Sequence, residues 1–519
     1  METGREIELK LSVPPDRVQQ LLRSPHLKAE GAGRGHARAL RNTYYDTPHL
    51  TLHERGLALR VREAGRRFVQ TVKAGGRGAS GLFKRREWQQ TVSGPKPDLA
   101  QIDDVMLREL LGDAAARLAP VFTAEVRRVT RTVQRGNSTR VEVVIDEGHV
   151  VTPKGSTPIC EIEFELKEGS PDALYELALA LNDVAPLHLE TMSKSDRGYA
   201  LLSDAQPTWS KSPALALDPN ATGLEAFEAI LRHHLAHLLA NEAAARDGGD
   251  PEGVHQLRVA LRRLRSVLAL FRSVLPAETA LHLADELKWL GGETGPARDL
   301  DVFLLELLSP IRKGMPEESD LEALETRAAA ARIAAYERVR AALDTGRYTA
   351  LLLEVGRVAE TRFWLNGLEP GIVARLEAPA RDFATELLAE RHRKAKKRGR
   401  GFADLSTEDR HRLRIGLKKL RYAADSFRSL YEGSAAAAYM KRLSRLQDVL
   451  GHLNDVDIAG RLVEGFAQEA AAEDAAAVAR SSGLVIGWYG HGIAALEPKL
   501  RKQWKAFKSA APFWESAAG

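Results

Sequence analysis

Glu161-Ile162-Glu163-Phe164-Glu165-Leu166-Lys167 alternates charged and apolar side chains without a break. On a β-strand successive side chains point to opposite faces, so Glu161, Glu163, Glu165 and Lys167 share one side and Ile162, Phe164 and Leu166 the other. Glu6-Ile7-Glu8-Leu9-Lys10 repeats the arrangement near the N-terminus. Between these two stretches, residues 57–62, 68–73, 84–92, 121–133 and 140–146 also read as strands, with Arg60 and Arg62 on one face and Arg85 beside Glu87 on another. Period two at this density predicts a barrel or a strongly curved antiparallel sheet. Two helices are expected to interrupt it, one after Pro14-Pro15-Asp16 and one over 171–181.

The character of the chain changes near residue 205. A Pro- and Ser-containing stretch, 204–213, reads as a linker. Beyond residue 222 the sequence is rich in Ala, Leu, Arg and Glu with a 3.6-residue period, and strand candidates disappear. An internal duplication runs through it. His255-Gln256-Leu257-Arg258-Val259-Ala260-Leu261-Arg262-Arg263-Leu264-Arg265 matches His411-Arg412-Leu413-Arg414-Ile415-Gly416-Leu417-Lys418-Lys419-Leu420-Arg421 at an offset of 156. Asp299-Leu300-Asp301-Val302 and Asp455-Val456-Asp457-Ile458 share that offset, which predicts two copies of one helical unit. The expected architecture is multidomain α+β: a β-barrel domain over 1–205, a linker over 206–222, and an all-α duplicated helical bundle over 223–512 with repeats at about 223–365 and 375–512.

Composition narrows the class. The chain has 519 residues, 44% hydrophobic and 28% charged, which is ordinary globular composition. Its one cysteine, Cys160, excludes an intramolecular disulfide framework and a Cys-based zinc site. No apolar h-region follows Met1, and no run approaches the ~18 apolar residues of a membrane span, so a cytoplasmic protein with no membrane partner is expected. Net charge is only 75 − 70 = +5, so anion binding must come from how charges are placed.

Carboxylate ladders suit hard divalent cations such as Mg²⁺ or Mn²⁺, and clustered Arg and Lys suit phosphate oxygens. Both lining one cavity describe a site for a metal-bound polyphosphate. Glu6-x-Glu8-x-Lys10 at the N-terminus resembles the signature of the CYTH superfamily, the triphosphate tunnel metalloenzymes. The resemblance continues through Tyr44-Tyr45-Asp46-Thr47, Leu59-Arg60-Val61-Arg62, Thr71-Val72-Lys73, Arg85-Arg86-Glu87-Trp88, Ile145-Asp146-Glu147-Gly148, Glu161-x-Glu163-x-Glu165 and Ser193-Lys194-x-x-Arg197-Gly198-Tyr199. It covers about residues 4–203. The resemblance implies an eight-stranded antiparallel β-barrel tunnel that binds a triphosphate with a divalent metal and hydrolyses it, inorganic triphosphate being the expected substrate. Glu6, Glu8, Glu161, Glu163 and Asp146 are then expected metal ligands, and Glu165 falls at a further acidic lumen position. Lys10, Arg60, Arg62, Lys73, Arg85, Arg128 and Lys194 are expected triphosphate-binding residues, and Glu6, Glu8 and Lys10 the catalytic set. Thiamine triphosphate and nucleoside triphosphates stay open as substrates. A class IV adenylate cyclase-like enzyme, using the same tunnel on ATP, is the rival enzyme.

In the second half, His255, Arg258, Arg262 and Arg265 fall on one narrow helical stripe, and His411, Arg414, Lys418 and Arg421 repeat it. Aligned cations without acidic i+4 partners repel one another unless an anion occupies the stripe. Asp299, Asp301, Asp455 and Asp457 read as braces for arginines rather than metal ligands. The repeated His-x-Leu-Arg motif resembles the CHAD domain, over about 223–510, which implies a helical surface that binds inorganic polyphosphate and a location at polyphosphate granules. Nucleic acid is the weaker partner, because single-strand binders interleave aromatics and only Tyr422 lies close. The alternative to an enzyme is a polyphosphate-binding scaffold with little catalysis.

Overall fold

The computed structural model describes residues 2–28, 36–75, 81–136, 138–203, 206–470 and 474–515. Asp204 and Ala205, the first two residues of the Pro- and Ser-containing stretch 204–213, lie outside them. Contacts divide the chain into two units: residues 1–207 with 343–363, and residues 208–342 with 364–519.

The first unit is a closed antiparallel barrel of eight strands: β1 (Glu2–Ser12), β2 (His36–Asp46), β3 (Leu57–Ala64), β4 (Arg67–Ala74), β5 (Leu82–Val92), β6 (Ala119–Arg135), β7 (Thr139–Thr152) and β8 (Gly155–Glu168). Their order around the wall is β5-β4-β3-β2-β6-β7-β8-β1, and β1 pairing with β5 closes it. Seven of these strands carry the alternation read from the sequence. The eighth, β2, does not, because its Arg38, Arg41 and Asn42 interrupt the apolar positions.

The barrel is apolar outside and polar within. Leu57, Leu59 and Val61 point outward into a cluster with Val72, Trp88, Leu107 and Leu111, while Arg60 and Arg62 between them point inward. On β8, Ile162 and Phe164 are fully buried on the outer side against Leu174, Tyr175 and Ala178 of the helix Asp172–Val184. An outward apolar face needs cover. Part of that cover comes from far along the chain. The helix Gly346–Thr361, inside the stretch expected to form the first helical repeat, buries Leu353 in this same core. Its Arg357 grips Asp172 through two bonds of 2.6 and 2.8 Å, Gly346 accepts from Asn182 at 2.8 Å, and Glu360 pairs with Lys84 of β5 at 2.6 Å.

The second unit is helical. Thr222 and Glu225 form a reciprocal cap on Gly223–Leu239, Asp250 caps Pro251–Leu270 with proline at the first position, and Ser406 caps Thr407–Phe427. The duplication is visible in its core. Phe227 and Phe383, and Phe271 and Phe427, are pairs at the 156 offset, and Phe271 packs on the other three at 4.4, 4.9 and 6.2 Å. The copies then diverge: Gly433–Gln468 is one continuous helix, whereas its counterpart breaks after Glu293, where Pro296 follows. Among the described residues no helix is long and apolar enough to cross a membrane.

Candidate active site and basic cleft

Strand register assembles the lumen. Lys10 on β1 lies opposite Glu163 on β8, and Glu161 lies opposite Asp146 on β7, which in turn faces Arg128 on β6. Arg60 faces Tyr44, Arg62 faces Asn42, and Lys73 faces Glu87. Glu6, Glu8, Lys10, Arg60, Arg62, Lys73, Arg85, Arg128, Glu163, Glu165 and Lys194 all line one cavity of about 350 Å³, a size typical of small-ligand sites. Asp146 and Glu161 sit beneath its wall, both without solvent exposure. Arg128 points inward and its neighbour Arg127 outward to Glu147, as alternation requires.

The charges divide into two zones. In one, three carboxylates and three cations interlock. Lys10 reaches Glu163 at 2.6 Å and Glu161 at 3.3 Å; Lys194 reaches Asp146 at 2.7 Å, Glu163 at 2.8 Å, and also Glu161. Arg128 makes a two-pronged contact to Asp146 at 2.8 and 2.6 Å. Burial opposes the charges of Lys10, Lys194, Arg128, Asp146 and Glu163, but the partners prevail. Lys10 is held well above the usual lysine range by Glu161, Glu163 and Glu8, and Glu163 well below the usual carboxylate range by Lys10, Lys194 and Arg128.

The other zone is cationic. Glu6 holds Lys73 at 2.7 Å and Glu8 holds Arg85 at 3.2 Å, but among the described residues Arg60 and Arg62 have no carboxylate within ion-pair distance. Arg62 bonds Asn42 at 2.9 Å, and the Nε of Arg60 is buried without a partner. Burial, with Arg60 and Arg128 close by, pushes Arg62 down to about 9.

One oxygen from each of Asp146, Glu161 and Glu163 lies within 4.8 Å of the others. The buried Glu161 Oε2 and Glu8 Oε1 make no hydrogen bond among the described residues and meet only the cations Arg197 at 3.4 Å and Lys10 at 3.3 Å, respectively. An all-carboxylate donor set of this kind fits a hard divalent cation. Of the five expected ligands, these three converge, while Glu6 and Glu8 stand on the neighbouring strand, toward Lys73 and Arg85. The 193–199 segment divides its labour. Lys194 enters the lumen, Arg197 braces Glu161 at 3.4 Å, Tyr199 donates to buried Asp46 at 2.9 Å, and Gly198 lies so close to Phe122 that a Cβ would meet its ring at 2.3 Å. Tyr44, Glu142 and Ser195 also line the cavity and were missed from sequence; Glu142 could have been found by counting back two and four from Val144 and Asp146.

In the helical unit the stripes of the two repeats meet. Lys418 feels Arg414, Arg262 and Arg258, and burial together with these neighbours pushes it down to about 7. Arg258 is pushed to about 10 by burial and by Arg262, and donates to the Gly291 carbonyl at 2.8 Å. The Nε atoms of Arg258, Arg262 and Arg414 are buried and unpartnered, and Arg421 donates to Gln447 at 3.1 Å. The two histidines are not equivalent: His255 is half-buried beside Arg298 and lowered to about 4, while His411 is exposed. Asp301 accepts from Arg332 at 2.6 Å and from Tyr336 at 2.8 Å, and Asp457 pairs with Arg461. The basic run 391–400 forms the last turns of the helix Ala380–Arg398, with Arg391 donating to the Ala269 carbonyl.

Residues 4–199 match the CYTH domain family and residues 229–464 the CHAD domain family. An inorganic triphosphatase of Haemophilus influenzae is 32% identical over 199 residues, 38% of this chain and 55% of that protein, so the match spans about half of the relative's length. The crystal structure of the CHAD domain from Ricinus communis is 34% identical, covers 58% of this chain and 97% of its own, and superposes with a TM-score of 0.50.

Proposed function

We propose that this chain, which belongs to the CHAD family over residues 229–464 and carries a CYTH domain over residues 4–199, hydrolyses a linear triphosphate in its barrel and holds inorganic polyphosphate on its helical unit. The observation that carries the barrel reading is the pair Arg60 and Arg62, two inward guanidiniums with no carboxylate within ion-pair distance among the described residues. Arginine forks match phosphate oxygens two at a time, so a polyanion relieves the repulsion that burial creates. Among the described residues the only aromatic side chain lining the cavity is Tyr44, which is stacked on Phe122 at 4.7 Å, so no free ring is offered to a nucleobase. This supports inorganic triphosphate over ATP. The triphosphatase relative supports the same reading.

Asp146, Glu161 and Glu163 would hold the cation, Mg²⁺ or Mn²⁺, with Glu6 and Glu8 within the same polar lumen. Bound there, it would neutralise substrate charge and polarise a phosphoryl oxygen. The chain's own groups do the rest. Arg60 and Arg62 clamp the phosphate chain, and Lys73 and Arg85 fix its orientation. Lys10, Lys194 and Arg128 can turn from their carboxylates to phosphate oxygens. Glu6 and Glu8 orient the attacking water and one of these carboxylates takes its proton; the water oxygen bonds to the terminal phosphorus, the bridging P–O bond breaks, and pyrophosphate leaves with the electron pair.

Purified full-length protein should release orthophosphate from triphosphate with Mg²⁺ or Mn²⁺, and Glu6→Gln or Glu8→Gln should abolish release. Cyclic AMP from ATP without triphosphate hydrolysis would favour the cyclase, and turnover no faster than Glu6→Gln would favour the scaffold. For the helical unit, the meeting of two basic stripes in which, among the described residues, the buried Nε atoms of Arg258, Arg262 and Arg414 have no hydrogen-bond partner supports polyphosphate. Affinity should rise with chain length and fall steeply with salt. Replacing Arg258, Arg262 and Arg265, or Arg414, Lys418 and Arg421, with Ala should weaken long chains far more than it slows triphosphate hydrolysis.

A further inference from the structure

The helical unit contains a pocket of about 110 Å³ that shares no residue with the basic stripes. Its polar wall includes Ser212, His233, His234, Arg263, Asp425 and Arg428. His233 Nε2 and Ser212 Oγ lie 2.8 Å apart, and Asp425 accepts from Arg263 at 3.0 Å and lies 3.5 Å from Arg428. Among the described residues, two groups of its wall are left unsatisfied. His234 is 4% exposed and its Nδ1 has no hydrogen-bond partner, and neither has the buried Nε of Arg263.

We propose that this pocket binds a single tetrahedral oxyanion of the orthophosphate class. Two guanidiniums, Arg263 partly buried and Arg428 at the pocket's solvent side, stand against one carboxylate, a positive excess that an anion would balance. Burial and the nearby Arg263 keep His233 and His234 uncharged, so each ring supplies one donor and one acceptor. The volume is large enough for one phosphate group. Asp425 selects among such anions. Hydrogen phosphate carries a proton to donate to that carboxylate, whereas sulfate has none and would meet it as a bare like charge. The pocket is not a by-product of the duplication. At the offset that pairs Phe227 with Phe383, the second repeat has Ala389 and Glu390 in place of the histidines, Lys419 in place of Arg263, and the first has Ala269 in place of Asp425.

The proposal stands whether or not the barrel is a triphosphatase, and its test separates the two. Full-length Arg60→Ala/Arg62→Ala protein, weakened in the lumen, is titrated calorimetrically with orthophosphate and with sulfate. One orthophosphate should bind, with sulfate about tenfold weaker or more, a difference of about 1.4 kcal/mol. Adding Arg263→Gln or His234→Leu should weaken orthophosphate about tenfold, with folding checked by circular dichroism and thermal midpoint. Asp425→Asn should erase the preference by improving sulfate, a gain that loss of fold could not produce. No orthophosphate binding in the lumen variant, or equal affinity for both anions with no response to Asp425→Asn, would overturn the proposal.

Discussion

No carboxylate among the described residues lies within ion-pair distance of Arg62, so its charge is left for another molecule to balance. Burial, with Arg60 and Arg128, disfavours its cation, yet an arginine holds its proton under almost any condition, so the strain is relieved by an anion. Function and stability should therefore respond oppositely to its loss. Arg62→Gln is expected to lower kcat/KM for triphosphate by about 10²–10³-fold, the range for a removed charge-stabilising donor, while the thermal midpoint stays or rises. Glu163 is the reverse case, because three cations converge on it. Glu163→Gln leaves them facing one another and should cost about 3–5 kcal/mol by chemical denaturation. Its lowered pKa fixes the pH dependence. The unfolded state binds the proton more readily, so the stabilisation is fully present above the unfolded value near 4.5 and fades as pH falls through the folded one. Between pH 5 and 3 the wild-type protein should lose stability more steeply than Glu163→Gln.

At the scale of elements, the stripes give a second pH dependence with the opposite sense. Lys418 is half-charged near pH 7 when its helix is free, since burial, Arg414 and Arg262 hold it down. A polyanion restores the proton. Affinity for long-chain polyphosphate should thus fall between pH 6 and 8, and Lys418→Arg should flatten that slope in titrations at fixed ionic strength. The strands show what sequence can and cannot give. Period two placed Glu6, Glu8 and Lys10, Arg60 and Arg62, Arg85, and Glu163 on shared strand faces, the resemblance implied that those faces turn inward, and the structure puts all seven in one cavity. It could not say which cations would be neutralised, because that depends on register: Lys10 falls opposite Glu163, while Arg60 falls opposite Tyr44. Nor could it yield the oxyanion pocket, whose wall comes from segments that only the helical packing brings together. Gly198 was legible as part of a motif but not as a contact. Gly198→Ala would drive a methyl group into Phe122, itself packed on Tyr199 at 5.1 Å, and should lower the thermal midpoint by several degrees.

The whole molecule divides at residue 207, beside the break in sequence character, except that residues 343–363 join the first unit. The composition break near residue 205 is real, yet the barrel's core includes Leu353, about 150 residues further on, because the apolar outer face of a polar-lumened barrel must be covered by whatever helix reaches it. A helix of ordinary Ala/Leu/Glu/Arg composition gives no sign in sequence of which core it will join. Leu353 has no exposure, and its truncation to Ala should cost about 2–5 kcal/mol of barrel stability. The same reasoning applies to fragments. A fragment ending at residue 207 follows the composition break and leaves bare the patch around Tyr175 and Ala178, together with the Asp172 that Arg357 would grip. Such a fragment should melt well below the barrel within the full chain, or aggregate through that patch. Joining residues 343–363 to it by a flexible Gly/Ser tether should restore the melting midpoint, and the same tether carrying Leu353→Asp should not. Equal melting of the bare fragment and the tethered form would mean that the helix merely rests on the barrel; a difference of several degrees would make it part of the barrel's folding unit.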